Sequence, residues 1–252
     1  MSGGTAMVTG AGTGIGKAIA IALAKNGYDI VISYYSNEPG AIQTCQDIRK
    51  MGRQAFAVRA DLSEISGIKQ LFRESRTYFD HLDVFVNNSG ITKKSRFLET
   101  SEEMIDALYR LDLKGAFFCI QHAANWMIQA GIPGSIVVIS SNNHKAHFPQ
   151  ASAYGIMKAA LTKLTEHAAM ELARYKIRVN TIAPGWTDTG AARLGDKEST
   201  YYKIPLKRWC HPEEIGEAAV FLSSEAAQSI TGATLIMDGG AVLLSDKPET
   251  YE

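Results

Sequence analysis

The run Ala6-Met7-Val8-Thr9-Gly10-Ala11-Gly12-Thr13-Gly14-Ile15-Gly16 decides the fold. A short apolar stretch ends at Thr9, four glycines follow, and a helical pattern over residues 16–26 continues from them. Strand, glycine loop and helix in that order make the first βα unit of an open parallel sheet, which places its ligand outside the carboxyl ends of its strands. Gly10 permits the tight turn. Gly14 and Gly16 let the backbone and the helix approach a pyrophosphate closely, with Thr13 and Ile15 as neighbouring contacts in the same loop. The helix N-terminus then offers unpaired N–H groups and the positive end of its dipole. The spacing is G-x-x-x-G-x-G, not the commoner G-x-G-x-x-G, so the position between strand and helix carries the reading more than the glycine count does.

Outward from this loop, short Val/Ile-rich runs alternate with longer helical patterns. Strands are expected at residues 6–9, 29–33, 55–59, 84–87, 135–139, 178–182 and 234–237. Most lack polar alternation, as parallel strands buried on both faces do. Helices are expected at 65–78, 102–129, 153–175 and 212–223 besides the first. Alternating β and α units with right-handed crossovers imply an α/β fold, a single doubly wound Rossmann-type domain over residues 1–252 with about seven parallel strands flanked by helices. Residues 186–210, rich in Gly, Thr, Lys and Tyr, form the one long irregular connection, expected to be a lid over a binding cleft.

Composition narrows the function. The 252 residues are 46% hydrophobic, enough for a sizeable core, and 26 Lys+Arg balance 26 Asp+Glu. A neutral chain lacks the basic excess of a nucleic-acid binder. No apolar run approaches the ~18 residues of a membrane span. The opening Met1-Ser2-Gly3-Gly4-Thr5-Ala6 lacks the charged and apolar regions of a secretion signal, so a cytoplasmic protein is expected. Cys45, Cys119 and Cys210 are widely spaced and in no C-x-x-C pattern, which suits reduced thiols. His144 and His147 have no carboxylate or thiol beside them, so no metal site is expected.

Tyr154 and Lys158 lie four residues apart on an expected helix, so both project from one face. A phenol, with a reference pKa near 10, is a poor base at neutral pH. An ammonium one turn away favours the phenolate. Bringing a phenol to about 7–8 takes roughly 3–4 kcal/mol of differential stabilisation.

These residues, in this order, resemble the short-chain dehydrogenase/reductase family from about Thr5 to Gly240. Asp61-Leu62 after the third strand is similar to the family's adenine-contacting pair. Asn87-Asn88-Ser89-Gly90 resembles Asn-Asn-Ala-Gly, which lines the cofactor. Ser141 precedes Tyr154 by thirteen residues, the spacing of the family's catalytic serine. Asn180, Pro184-Gly185, Thr187 and Thr189 fall where the family leads toward the nicotinamide, and Asp238-Gly239-Gly240 matches its C-terminal signature. The resemblance implies that Tyr154 is the general acid/base and that Lys158 tunes it and holds the ribose. It also implies that Ser141 donates a hydrogen bond to the substrate oxygen. By the same resemblance, hydride is expected to pass between nicotinamide and a carbonyl or secondary alcohol.

Two positions depart from the pattern. Leu111-Asp112-Leu113-Lys114-Gly115 puts Asp112 where the family has its fourth catalytic residue, an Asn. A carboxylate there adds negative charge near Lys158, with a shifted pH optimum as the expectation. Ser89 for Ala is expected to be silent.

At the second strand end, Ser33-Tyr34-Tyr35-Ser36-Asn37 contains no Asp or Glu to select NAD through the ribose 2′-hydroxyl. Tyr34 and Ser36 are expected cofactor contacts, Ser36 or Asn37 is expected to bond a 2′-phosphate, and NADP(H) is expected ahead of NAD(H). No Arg or Lys lies in this stretch.

Around Ser141 the polar Asn142, Asn143, His144, Lys145, His147 and Gln150 suit hydroxyls of a sugar or polyol, as in the family's glucose dehydrogenase subgroup. Pro212-Glu213-Glu214-Ile215 and Ile230-Thr231-Gly232 resemble that subgroup too. The alternative substrate is a 3-oxoacyl chain on a carrier protein, for which Arg174, Lys176 and Arg178 are candidate docking cations. A dinucleotide-binding sensor or scaffold without turnover is the non-enzymatic alternative. Family members are commonly tetramers, and a homotetramer is expected.

Overall fold

The computed structural model describes residues 4–190 and 194–244. Seven strands form one sheet: β1 (Thr5–Val8), β2 (Asp29–Tyr34), β3 (Ala55–Arg59), β4 (Val84–Asn87), β5 (Ser135–Ile139), β6 (Arg178–Pro184) and β7 (Thr234–Met237). Their order is β3-β2-β1-β4-β5-β6-β7, with every neighbouring pair parallel. The chain runs outward from β1 to β3, then crosses back to β4. β1 and β4 therefore flank the topological switch point, where a doubly wound sheet opens a crevice. Val8 pairs with Val86 in register, so the loops that follow these two strands start side by side.

The sheet is buried on both faces because its strands are apolar on both. Successive residues of β5 alternate between two cores: Ile136 and Val138 face one, Val137 and Ile139 the other. The first core is covered by α3 (Ile65–Ser75), α5 (Ala116–Ala130) and α6 (Ser152–Leu172), through Leu71, Phe72, Trp126 and Leu161. The second is covered by α1 (Gly14–Lys25), α2 (Glu38–Lys50) and α8 (Pro212–Ser223), through Ile19, Leu23, Ile48, Ile215 and Leu222. α8 lies close against α1 because Gly216 carries no side chain; a Cβ there would sit 2.9 Å from the Ala18 carbonyl oxygen. Burial pushes the Cys119 thiol up to about 12, so it packs as an inert apolar group. Among the described residues no helix is long and apolar enough to cross a membrane.

Most ends fall within three residues of expectation, α2 is not among the expected helices, and three further differences bear on the site. The helix expected over 102–129 is divided into α4 (Glu102–Leu108), a π-helical turn (Tyr109–Gly115) and α5. The turn presses against the loop after β3, where a Cβ on Gly115 would meet the Leu62 carbonyl oxygen at 2.3 Å. β6 runs two residues beyond its expected end, because Pro184 still pairs with Met237 on β7. Within the 186–210 connection lies a helix, α7 (Leu194–Tyr201), while residues 191–193 of that expected lid fall outside the described residues.

Candidate functional site

The loop after β1 is shaped by its glycines and stitched to its neighbours by hydrogen bonds. Gly10 and Gly14 have φ of +65° and +55°, the left-handed region that side chains disfavour. A Cβ on Gly16 would lie 2.5 Å from both the Gly10 carbonyl oxygen and Asn88 Nδ2. The backbone N–H groups of Asn88 and Ser89 donate to Thr9 Oγ1 at 2.9 and 3.0 Å. Asn88 Nδ2 donates to the carbonyls of Thr9 and Gly10. Gly10 N donates to Ser33 Oγ at 3.2 Å, tying in the end of β2. Thr13, the N-cap of α1, makes no side-chain cap and no acid occupies the first turn, so the helix dipole faces the crevice uncompensated. A loop of this shape could hold a pyrophosphate, and a side chain at Gly16 would collide with the Gly10 carbonyl that shapes it. Thr189 reaches the same loop: a Cβ on Gly14 would lie 3.3 Å from its Cγ2.

At the other end, Ser141 caps the short turn after β5, and its Oγ accepts from Asn143 N at 3.2 Å. Its own proton is left to donate elsewhere. His144 Nδ1 lies 2.8 Å from the Ser141 carbonyl, an acceptor, which fixes the proton on Nδ1. Tyr154 sits half-buried in the first turn of α6. Gly155 lets that turn meet the serine turn; a Cβ on it would lie 3.3 Å from the Asn143 carbonyl. Lys158 is buried one turn on, with Nζ 5.4 Å from the centre of the Tyr154 ring and 3.1 Å from Asp112 Oδ2. The π turn places Asp112 there, 1% exposed, with its Oδ1 accepting from Ile91 N at 2.9 Å. Oδ2 makes no well-angled hydrogen bond, so the lysine contact is ionic. Gly90 closes over the pair, since a Cβ there would sit 3.1 Å from Asp112 Oδ2 and 3.2 Å from Lys158 Nζ. Burial favours the neutral amine of Lys158, but Tyr154 and Asp112 outweigh it and hold the ammonium above the usual lysine range.

A third set of contacts locks the segment after β6. Gly185 donates its N–H to Met237 and packs so tightly on Asp238 that a Cβ would lie 2.5 Å from the Asp238 Cβ. Asp238 accepts from Gly240 N, Val242 N and Asn142 Nδ2, at 2.9, 2.9 and 3.2 Å. Thr187 bridges to Cys210, Asp188 pairs with Lys197, and Trp186 meets Phe148 edge to face at 5.1 Å. Asn180, by contrast, is structural: its side chain spans Ile230 O and Ala233 N.

A family model described as enoyl-(acyl carrier protein) reductase matches residues 10–242, which include both ends of this crevice. The chain belongs to the short-chain dehydrogenase/reductase family. It is therefore an NAD(P)-dependent oxidoreductase. Glucose 1-dehydrogenase 2 of Bacillus subtilis is 36% identical over 258 residues, covering 99% of this chain and 98% of that one. The 3-oxoacyl-[acyl-carrier-protein] reductase of Staphylococcus aureus is 35% identical over 241 residues, 94% of this chain and 97% of the relative. The structure of acetoin dehydrogenase from Salmonella typhimurium superposes with a TM-score of 0.89 at 37% identity, over 96% of this chain and 98% of that one.

The nucleotide end of this short-chain dehydrogenase/reductase differs in part from expectation. Asn37 is not free for a ligand: Oδ1 accepts from Gly40 N at 3.1 Å as the N-cap of α2, and Nδ2 reaches the Gly12 carbonyl at 3.4 Å. The pattern Asn37-Glu38-Pro39 carries that signal, an Asn followed by a proline in the first turn. Tyr34 turns its phenol to Glu38 Oε1 at 3.1 Å. Asp61 Oδ1 accepts from Ser63 N and Oγ, which orients its carboxylate, and the adjoining Leu62 is buried. Ser36 is exposed. Of the candidate docking cations, Arg178 is spent on the carbonyls of Leu222, Ile230 and Ser224, and Arg174 on the Tyr175 hydroxyl.

Proposed function

We propose that the protein interconverts a secondary alcohol and a carbonyl on a sugar or polyol, with NADP(H) ahead of NAD(H) as cofactor. The observation that carries the reading is Ser141, Tyr154 and Lys158 on adjoining turns at the carboxyl edge of the sheet, beside a glycine cradle that fits a pyrophosphate. The nicotinamide, when bound, supplies or accepts the hydride at its C4. Tyr154 exchanges a proton with the substrate oxygen, and Ser141, already accepting from Asn143, donates to that oxygen. Lys158 keeps a positive charge beside the phenol and reaches the ribose hydroxyls. Gly10, Thr13, Gly14, Ile15 and Gly16 hold the pyrophosphate, and Asp61 and Leu62 border the adenine. Asn88, Gly90, Pro184, Gly185, Thr187 and Thr189 line the nicotinamide half. Residues 186–210 act as its lid, anchored by the Thr187–Cys210 bridge and the Asp188–Lys197 pair.

The relative named glucose 1-dehydrogenase 2 and the half-buried Asn143 and His144 beside Ser141 support the sugar reading, while Asn142 is buried on Asp238. A 3-oxoacyl-carrier-protein reductase is the second reading, favoured by the Staphylococcus aureus relative. The engagement of Arg178 and Arg174 removes most of its docking patch. The protein is read as a cytoplasmic homotetramer. Exposed Ile105, Tyr109, Phe117, Ile156 and Met170 on the α4–α6 side support that assembly, and a solution mass tests it. A spectroscopic panel of sugars, polyols, hydroxyketones and 3-oxoacyl thioesters, each with NADP(H) and NAD(H), tests the whole. The expected result is turnover concentrated on hydroxylated substrates. Preference for the thioester overturns the sugar reading, and dinucleotide binding without turnover on any of them leaves a sensor.

A further inference from the structure

The end of β2 carries no cation, but the sheet brings one to it. Tyr34 on β2 pairs in register with Arg59, the last residue of β3. Arg59 is exposed, and its Nε donates to the Tyr35 carbonyl at 3.3 Å, 24 residues away in sequence. The side chain thus lies across the β2 end, where the cofactor ribose of a doubly wound sheet is read. A guanidinium has five N–H donors, and among the described residues only Nε is committed. Among the described residues Arg59 makes no ion pair with any carboxylate.

We propose that Arg59 is the specificity-determining cation that receives the 2′-phosphate of NADP(H), with the Ser36 hydroxyl as a second donor. The assignment rests on the NADP(H) preference above and names the residue that produces it. The planar fork of an arginine matches a phosphate with two parallel N–H bonds, and the bond to Tyr35 fixes its direction before the ligand arrives. The neighbouring charges leave the position to Arg59. Lys17 is held by Asp47 at 3.0 Å, and the Glu38 carboxylate is drawn onto the Tyr34 phenol. An NAD-type grip by Glu38 on a ribose 2′-hydroxyl would have to compete with that phenol.

Binding of 2′,5′-ADP and of 5′-AMP, measured by isothermal titration calorimetry on the full chain, separates this contact from turnover. The wild type is expected to bind 2′,5′-ADP the more tightly. Arg59→Gln is expected to lose that preference by roughly tenfold or more, the loss that follows from removing a hydrogen bond to a charged group. Its affinity for 5′-AMP should stay unchanged, and Arg59→Lys should keep part of the preference and lose more of it as salt is raised. Retention of the full preference in Arg59→Gln overturns the Arg59 assignment and leaves the NADP(H) reading standing. Equal weakening of both ligands also overturns it, since the residue would then only support the loop. A wild type with no preference for 2′,5′-ADP overturns both.

Discussion

The crevice's two ends, the loop after β1 and the turns around Ser141 and Tyr154, are built in opposite ways. The first is defined by absent side chains: Gly10 and Gly14 occupy left-handed backbone, and Gly16 leaves no room for a methyl group. The second is defined by present ones, with Lys158 and Asp112 sealed from solvent and Ser141 and Tyr154 set on turns that meet through Gly155. A backbone site presents fixed N–H dipoles that do not titrate, whereas a side-chain site depends on which groups hold protons. One end should therefore break when an atom is added and the other when an atom is removed.

Tyr154→Phe removes a single oxygen and should have the largest effect. The expected loss in kcat is roughly 10²–10⁴-fold, the usual contribution of general acid–base catalysis, with cofactor binding unchanged. Stopped-flow turnover and dinucleotide titration on the same preparation check this, and a rate within a few-fold of wild type would remove Tyr154 from the mechanism.

Asp112→Asn keeps the shape and the acceptor for Ile91 N–H but leaves Lys158 a buried charge without its partner. Removing one partner of a buried pair costs about 3–5 kcal/mol, and the isosteric change should fall at or below the low end. Lys158 is held above its unfolded pKa, so the pair's contribution is complete below the ordinary lysine pKa and lost as pH rises through the raised value. Urea midpoints of wild type and variant should differ at neutral pH and converge in strong alkali. In the same variant the acid limb of the pH–rate profile should move to lower pH, because the ammonium beside Tyr154 then lacks its counter-charge. Superimposable profiles and midpoints would reduce Asp112 to a space-filling role.

Gly16→Ala tests the opposite end and should act by addition. The new methyl meets backbone at 2.5 Å, so the loop must shift, at about 1–3 kcal/mol for an overpacked position. A lowered thermal midpoint with weaker dinucleotide binding is expected, and the pH–rate profile should keep its shape. A profile that moved would mean the two ends are electrostatically coupled, which their construction argues against.

Much of this was legible in the chain. The Val/Ile runs and the glycine loop lead to the parallel sheet because local apolar pattern and turn chemistry decide those elements. Ser141, Tyr154 and Lys158 could be found because their spacing is local. What escaped depends on partners distant in sequence. The π turn at Tyr109–Gly115 answers to the Leu62 carbonyl, invisible from residues 102–129 alone. Arg59 reaches the β2 end only through strand register, and the extension of β6 to Pro184 depends on Met237. Asn37 is different: its capping role is written locally, yet its polarity was read as a ligand contact.

The bond from Asn142 to Asp238 ties the serine turn to a residue 96 positions away in sequence. The glycine cradle and its brace from Asn88 and Ser89 are encoded within the first 90 residues. The turn bearing Ser141 gains its clamp only when Asp238 docks, and Asp238 is itself set by Gly240 and Val242. A domain folds as a unit, so both halves of the crevice form together. The serine turn thus depends on the docking of β7 and the segment behind it, and a substitution at Asp238 would loosen it without touching the bonds of the glycine loop.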